Sequence, residues 1–169
     1  LFEKLAGDKT TLTLAGRLIS RRAQGKACFA DLEDETGKLQ LFARLDEVGE
    51  AVFQLFTTLL DVGDIIQATG VLFITKKGEK TLQISSLKIL SKSLLPLPEK
   101  WHGLQDVEIR YRQRYLDLIA NPEIRGIVRK RSAMIRVIRQ FFDQRGYVEV
   151  ETPILQPLAG GASAQPFIT

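Results

Sequence analysis

The sequence predicts a chain in two parts: a small, mainly β barrel, and then the opening α/β elements of a second domain. Residues 11–92 contain five short runs of alternating apolar and polar residues and one helical stripe, whereas residues from 104 onwards are mostly helical in periodicity. Between them, Leu95-Pro-Leu-Pro98 predicts a stiff linker, because proline fixes φ and resists helix on either side. The expected boundaries are a barrel over residues 1–93, a linker over 94–105 and an incomplete second domain over 106–169.

The first part has three predicted strands, one helix and two further strands. The strands are expected over residues 12–19, 26–33, 38–44, 65–75 and 81–91. The helix is expected over Glu47–Leu60, where apolar residues recur at helical spacing. This chain order is that of an OB-fold, a five-stranded Greek-key barrel; another small β-barrel with a helical plug is the alternative.

The second part begins with a short amphipathic helix and continues into a long one. Asn121-Pro-Glu123 is a strong helix start, with a capping residue, proline in the first turn and an acid near the positive end of the helix dipole. The long helix is expected over Pro122–Arg145, and an alternating strand over Tyr147–Glu151. The helix carries one apolar stripe: Ile124, Ile127, Val128, Met134, Ile135, Ile138, Phe141 and Phe142.

Composition and missing motifs exclude several classes of function. With Cys28 as the only cysteine and His102 as the only histidine, neither a disulfide framework nor a Cys- or His-based metal centre is possible. No apolar run approaches the ~20 residues of a membrane span. The chain has no phosphate-binding Gly-x-x-x-x-Gly-Lys loop, no Gly-x-Gly-x-x-Gly and no nucleophile–histidine–acid set. The net charge of +4 is compatible with a nucleic-acid partner but is weak support for one.

The second and third predicted strands carry residues suited to nucleic acid. Their alternation directs Phe29 outward on the second strand, and Gln40 and Phe42 outward on the third, beside several cations. An outward ring can stack a base, an amide can read a base edge and cations can hold phosphate. The alternative is that a loop or a neighbouring domain covers the Phe29 ring.

Three other features are ambiguous from pattern alone. Simple alternation directs Arg21 outward, but a bulge expected at Gly16 would exchange the faces and direct Arg22 outward instead. Glu79, at a predicted hairpin tip, is by default a solvated turn residue, and Arg129-Lys-Arg131 is by default the wet side of a helix.

Motifs along essentially the whole chain resemble those of the bacterial-type lysyl-tRNA synthetases, a family of class II aminoacyl-tRNA synthetases. They are Gly16-Arg17, Arg22, Gly25-Lys-Ala27, Phe29, Gly37-Lys-Leu-Gln40, Pro96-Leu-Pro-Glu-Lys-Trp-His-Gly-Leu104, Tyr111-Arg-Gln-Arg-Tyr-Leu-Asp-Leu118, Glu149-Val-Glu-Thr-Pro153 and Gly160-Gly-Ala. The resemblance implies an OB-fold that binds the tRNA anticodon. It implies that Phe29 stacks on the middle uridine and Gln40 reads its edge. Arg22 would contact the same region, and Glu79 would read a neighbouring anticodon base.

For the second part, the resemblance implies motif 1 of the class II catalytic domain. The helix Pro122–Arg145 and the strand to Pro153 would belong to a homodimer interface that includes Ile135, Ile138 and Pro153. The backbone of Gly160 would lie near the α-amino group of bound lysine. No catalytic or metal-binding residue is expected in this stretch, because motifs 2 and 3, with their ATP-binding arginines, would lie beyond Thr169.

The implied parent enzyme is a cytoplasmic lysine–tRNA ligase that uses ATP and Mg²⁺, with tRNA, lysine and ATP as partners and no membrane association. This stretch by itself is expected to bind neither ATP nor Mg²⁺ and to be inactive. Two alternatives remain open. One is a free-standing OB-fold protein that binds single-stranded nucleic acid and oligomerises through its helical tail; the other is an aspartyl- or asparaginyl-type synthetase.

Overall fold

The computed structural model describes residue 6 and residues 9–98 and 103–154. Internal contacts divide the chain into two units, Leu1–His102 and Gly103–Thr169. Gly160, predicted to lie near the lysine amino group, falls outside the described residues.

The first unit contains a closed barrel of five strands. They are β1 (Thr11–Gln24), β2 (Ala27–Glu33), β3 (Lys38–Arg44), β4 (Ile65–Ile74) and β5 (Lys80–Ser91). Their order around the barrel is β1-β2-β3-β5-β4, and β1 closes it by pairing antiparallel with both β2 and β4. The pair β3–β5 is parallel. This arrangement confirms the predicted five-stranded OB-fold.

Strict alternation along β2 and β3 separates the barrel interior from its outer face. On β2, Cys28, Ala30 and Leu32 are buried, whereas the residues between them are partly exposed. On β3, Leu41 and Ala43 are buried in the same core. The predicted inward and outward faces of these two strands are therefore correct, and Phe29, Gln40 and Phe42 share the outer face.

A helix between β3 and β4 closes one end of the core. Helix α1 (Leu45–Gln54) begins two residues before the predicted start, and a π-helical turn over Leu55–Leu59 continues it. Gly49 interrupts the helical geometry with a φ of 78°, a conformation that glycine adopts without steric cost. The side chain of Phe56, on the π-helical turn, is fully buried in the barrel core.

The first strand contains a bulge, but not at the predicted residue. The register of β1 against β2 shifts between Leu18 and Ser20, which places the bulge at Ile19. Gly16 has another role: a Cβ atom there would lie 2.7 Å from the carbonyl oxygen of Glu33, so the two strands approach too closely for a side chain. The prediction of a bulge at Gly16 is therefore wrong in position.

The bulge nevertheless exchanges the faces of β1 as a bulge should. Leu18 before it is buried in the core, whereas Arg22 after it is exposed. Arg21 donates from a guanidinium nitrogen to the carbonyl oxygens of Phe56 and Leu60, at 3.2 and 2.7 Å. These two hydrogen bonds hold Arg21 at the end of the π-helical turn, and Arg22 is the arginine on the outer face.

The described part of the second unit contains three helices: α2 (Val107–Arg112), α3 (Arg114–Ala120) and α4 (Pro122–Asp143). Helix α4 confirms the predicted long helix and ends two residues earlier than expected. The strand expected over Tyr147–Glu151 is absent, and this prediction is wrong. A strand needs a hydrogen-bonded neighbour, and none of residues 103–154 forms one in this structure. No helix in the described part of the chain is both long and apolar enough to cross a membrane.

Candidate nucleic-acid interface

The outer face of the barrel carries three phenylalanine side chains in one row. Phe29 on β2 stands opposite Phe42 on β3, and their ring centroids are 4.8 Å apart with planes tilted by 34°. Phe73 on β4 lies beyond them, with its ring centroid 6.0 Å from that of Phe42. All three side chains are half-buried. This aromatic row (Phe29, Phe42 and Phe73) offers apolar ring surface to a ligand, and Phe42 supports the Phe29 ring from one side.

The predicted site residues Arg22 and Gln40 share this face with Phe29. Arg22 is the strand partner of Phe29 on β1, and Gln40 on β3 is the partner of Asp31, two residues along from Phe29. The Oγ1 atom of Thr81, on β5, lies 3.0 Å from Oε1 of Gln40. The structure therefore brings three of the predicted residues together around one ring.

Glu79, the fourth predicted residue, lies in the turn between β4 and β5. Its backbone N–H donates to Oγ1 of Thr75 at 3.1 Å, and its carbonyl oxygen accepts from the backbone N–H of Thr75 at 3.0 Å. The same carbonyl oxygen lies 3.2 Å from Oγ1 of Thr81. The Thr81 hydroxyl thus lies within hydrogen-bond distance of both the Glu79 backbone and the Gln40 side chain.

The carboxylate of Asp31 also lies on this face. Asp31 accepts a hydrogen bond from Oγ of Ser20 at 2.5 Å and pairs with Nζ of Lys38 at 3.1 Å. Burial acts to raise the pKa of Asp31, but these two contacts and the charge of Arg22 outweigh it and lower the pKa below its ordinary value. Asp31 is therefore ionised at neutral pH and is held between cations at the edge of the aromatic row.

Two contributors to this face were not singled out from the sequence. Phe73 has the outward parity of β4, where Ile66, Ala68 and Leu72 point inward, so alternation on that strand could have identified it. Thr81 could not be found in this way, because its contact depends on the parallel register of β3 against β5. That register joins strands separated by a helix and another strand in the chain.

The residues predicted for a dimer interface lie in the second unit. Ile135 and Ile138 are exposed on α4, by 37% and 49%. No residue of this helix is buried, and Pro153 is exposed in the segment that follows it. The predicted interface role of these three residues stays a prediction.

The described residues also allow a test for metal ligands. They contain no group of three or more His, Cys, Asp and Glu side chains that could hold a metal ion. No described residue is therefore assigned to Mg²⁺.

Two family models match the chain. Residues 12–90 match the OB-fold nucleic acid binding domain, and residues 106–169 match the class II tRNA synthetases of the D, K and N group. Together with the closed barrel, these matches assign the first part of the chain to the OB-fold nucleic acid binding domains and the second part to the class II tRNA synthetase domains.

The curated relatives identify the family within that class. The chain is 56% identical over 168 residues to the lysine–tRNA ligase of Carboxydothermus hydrogenoformans, and 54% identical over 168 residues to that of Moorella thermoacetica. These alignments cover 99% of this chain and 34% of each relative. For the Aquifex aeolicus lysine–tRNA ligase, the identity is 54% over 94% of this chain and 26% of the relative.

The chain belongs to the lysine–tRNA ligase family. It spans about a third of the length of the Carboxydothermus and Moorella relatives. The predicted resemblance, and the expectation of an OB-fold followed by the start of a class II synthetase domain, are confirmed.

Proposed function

We propose that the outer face of the barrel binds the anticodon loop of a lysine tRNA. The observation that carries this proposal is the half-buried Phe29 ring, backed by Phe42 and flanked on the same face by Arg22 and Gln40. Single-stranded nucleic acids bind such faces by stacking bases on aromatic rings while cations contact the phosphates.

Each residue has a proposed role that the resemblance to the lysyl-tRNA synthetases implies and that its chemistry allows. Phe29 stacks on the middle uridine, Gln40 hydrogen-bonds its edge, and Arg22 contacts the same region of the loop. Glu79, in the neighbouring turn, reads an adjacent anticodon base. The proposal is supported by the position of the Thr81 hydroxyl, which lies 3.0 Å from the Gln40 side chain and 3.2 Å from the Glu79 carbonyl oxygen and so shows that the two residues are close together.

We further propose that the chain is part of a cytoplasmic lysine–tRNA ligase that uses ATP and Mg²⁺ to activate lysine. The family of its relatives supports this activity. Homodimerisation through α4, with Ile135, Ile138 and Pro153 in the interface, is proposed from the exposed apolar side chains of that helix. The Gly160 backbone is proposed to lie near the α-amino group of lysine.

Lysine activation by the proposed parent enzyme depends on the ATP-binding arginines of motifs 2 and 3, which the resemblance matches to none of these 169 residues. We therefore expect a sample consisting of these 169 residues alone to show no lysine-dependent ATP–pyrophosphate exchange. Sustained exchange by such a sample, with its mass verified, would contradict this expectation.

Binding of RNA hairpins that carry the lysine anticodon loop tests the anticodon proposal. Phe29→Ala should weaken binding by about 1–3 kcal/mol, the usual contribution of one stacked base. Gln40→Ala should mainly reduce the preference for uridine over cytidine at the middle position. Phe141→Ala removes an exposed ring from α4 and is the matched control, with no effect expected.

Two outcomes would count against the anticodon proposal. The proposal would be ruled out if the wild type, Phe29→Ala and Gln40→Ala bound all loops with equal affinity. Equally tight binding of an unstructured pyrimidine-rich strand would instead indicate a general binder of single strands. All titrations need one fixed salt concentration, because phosphate contacts make affinity strongly salt-dependent.

A further inference from the structure

The amide of Gln40 can present either of two chemical groups to a base. Its Oε1 atom accepts hydrogen bonds, and its Nε2 atom donates two, so a rotation of the amide by half a turn exchanges an acceptor for a donor. A residue that fixes this rotation therefore determines which bases the amide can read. The inference below rests on the proposed function, in which Gln40 contacts the middle base.

The hydroxyl group of Thr81 is the contact that holds the Gln40 amide. It lies 3.0 Å from Oε1, and Nε2 has no hydrogen-bond partner among the residues that the structure describes. Thr81 is fully buried, so water does not compete for its hydroxyl. In this arrangement the Thr81 hydroxyl donates to Oε1, and Nε2 is left for a ligand.

The hydroxyl has a single proton and a second acceptor within reach, the carbonyl oxygen of Glu79 at 3.2 Å. That oxygen already accepts the backbone N–H of Thr75 at 3.0 Å, whereas Oε1 of Gln40 has no other donor among the described residues. The shorter distance and the unmet acceptor both direct the proton to Gln40. If it went to Glu79 instead, the amide could rotate and donate from Nε2 to Thr81.

The two orientations suit different pyrimidines. Uracil carries a carbonyl oxygen at position 4, which accepts from Nε2, whereas cytosine carries an amino group there, which also donates. With Oε1 held by Thr81, Nε2 would face the amino group of cytosine, and two donors cannot form a hydrogen bond with each other. With the amide rotated, Oε1 could accept from the cytosine amino group.

We infer that Thr81 is a positioning residue that makes the anticodon face selective for uridine over cytidine, by holding Oε1 of Gln40 and presenting Nε2 to the base. Thr81 is too deeply buried to touch the base itself. Its effect is on selectivity, and the contribution of Phe29 stacking is independent of it.

Thr81→Val, which removes the hydroxyl and nearly preserves the shape, tests the inference in the 169-residue chain. Hairpins with uridine or cytidine at the middle position are titrated, and the ratio of the two dissociation constants is measured. The ratio should fall about tenfold, within the range of discrimination of one well-oriented base contact. Thr81→Ser keeps the hydroxyl and should retain the ratio. Thr69→Val, which removes a hydroxyl that bonds Thr13 on another part of the barrel, is the matched control.

A double-mutant cycle separates positioning from general destabilisation. In a Gln40→Ala background, Thr81→Val should leave the uridine-to-cytidine ratio unchanged, because there is no amide to orient. Thermal unfolding of each variant checks the fold, and Thr81→Ala replaces Thr81→Val if the latter does not fold. If the variant without the hydroxyl had the same ratio of dissociation constants as the wild type, the inference would be overturned. If Phe29→Ala still weakened binding in that case, the anticodon proposal would stand without it.

Discussion

The two units of the chain differ in how far they bury their apolar side chains. In the barrel, β2 and β3 bury residues such as Leu41 completely, and Phe56 fills the interior from the π-helical turn. In the helical unit, α4 has no buried residue, and its large apolar side chains, including Ile135 and Phe141, are exposed. The barrel therefore has its own core, whereas the apolar face of α4 is exposed among the residues that the structure describes.

Buried polar residues show a second contrast between the units. The barrel adds two buried polar residues, Asp64 and Thr81, to an apolar core, and Asp64 pairs with the exposed Lys92. In the described part of the helical unit, the buried residues are Asp117 and Asn121. The order of that unit therefore depends more heavily on polar contacts, which require complete pairing, than on apolar burial.

The largest expected effect is the difference in stability loss between truncating a side chain of the barrel core and truncating one on α4. Leu41→Ala should lower the free energy of unfolding by about 2–5 kcal/mol, because it removes packed core volume. Ile135→Ala should change it by less than about 0.5 kcal/mol at low protein concentration, since Ile135 is exposed on a helix where alanine is favourable. Chemical denaturation at low micromolar concentration measures both values. A loss at Ile135 as large as that at Leu41 would mean that the α4 face is covered in solution.

The next effect concerns the buried carboxylate of the helical unit. Asp117 accepts hydrogen bonds from Nε of Arg110 at 2.8 Å, Nδ2 of Asn121 at 2.7 Å and a guanidinium nitrogen of Arg114 at 2.5 Å. Asp117→Ala should destabilise this unit by about 1–3 kcal/mol, because the buried amide of Asn121 loses an acceptor and two partly exposed arginines lose their partner. Asp143→Ala, at the exposed end of α4, is the control. Limited proteolysis after residue 103 reports the loss, and equal protection of both variants would contradict it.

A smaller effect is expected on self-association. Covering the apolar face of α4 would gain about 1.5–3 kcal/mol for each large side chain buried. We therefore expect the chain to associate through α4, and expect Ile135→Asp or Ile138→Asp to raise the dissociation constant at least about tenfold. Sedimentation at several concentrations measures it, with Phe29→Ala as the control that leaves association unchanged. A wild-type chain that stays monomeric at high micromolar concentration would contradict this prediction.

The sequence predicted best where each residue's environment depends on its own strand or helix. Alternation placed Phe29 and Gln40 correctly, because a strand directs successive side chains to opposite faces whatever its neighbours are. The strand expected at Tyr147 failed because pairing depends on residues elsewhere. The bulge at Ile19 and the contact of Thr81 were beyond prediction for the same reason, since both arise from register between strands.

The smallest expected effect is the response of the two units to acid. Burial acts to raise the pKa values of Asp64 and Asp117, but their hydrogen bonds and paired cations outweigh it and lower both. A carboxylate with a lowered pKa stabilises the folded state above its unfolded value of about 3.8, and this contribution disappears as the pH falls through the lower, folded value.

Both units should therefore be unaffected between pH 7 and about pH 5 and should weaken below about pH 4. The helical unit should lose order first, because protonation of Asp117 disrupts the buried contacts on which it depends, whereas the barrel retains the core around Leu41 and Phe56. Amide hydrogen exchange followed from neutral to acid pH distinguishes the units residue by residue. In Asp117→Asn, which cannot titrate at this position, exchange in α2 and α3 should already be faster at neutral pH and should change less on acidification. If the barrel amides lost protection before those of α3, polar contacts would have to contribute more to the barrel than its buried core indicates.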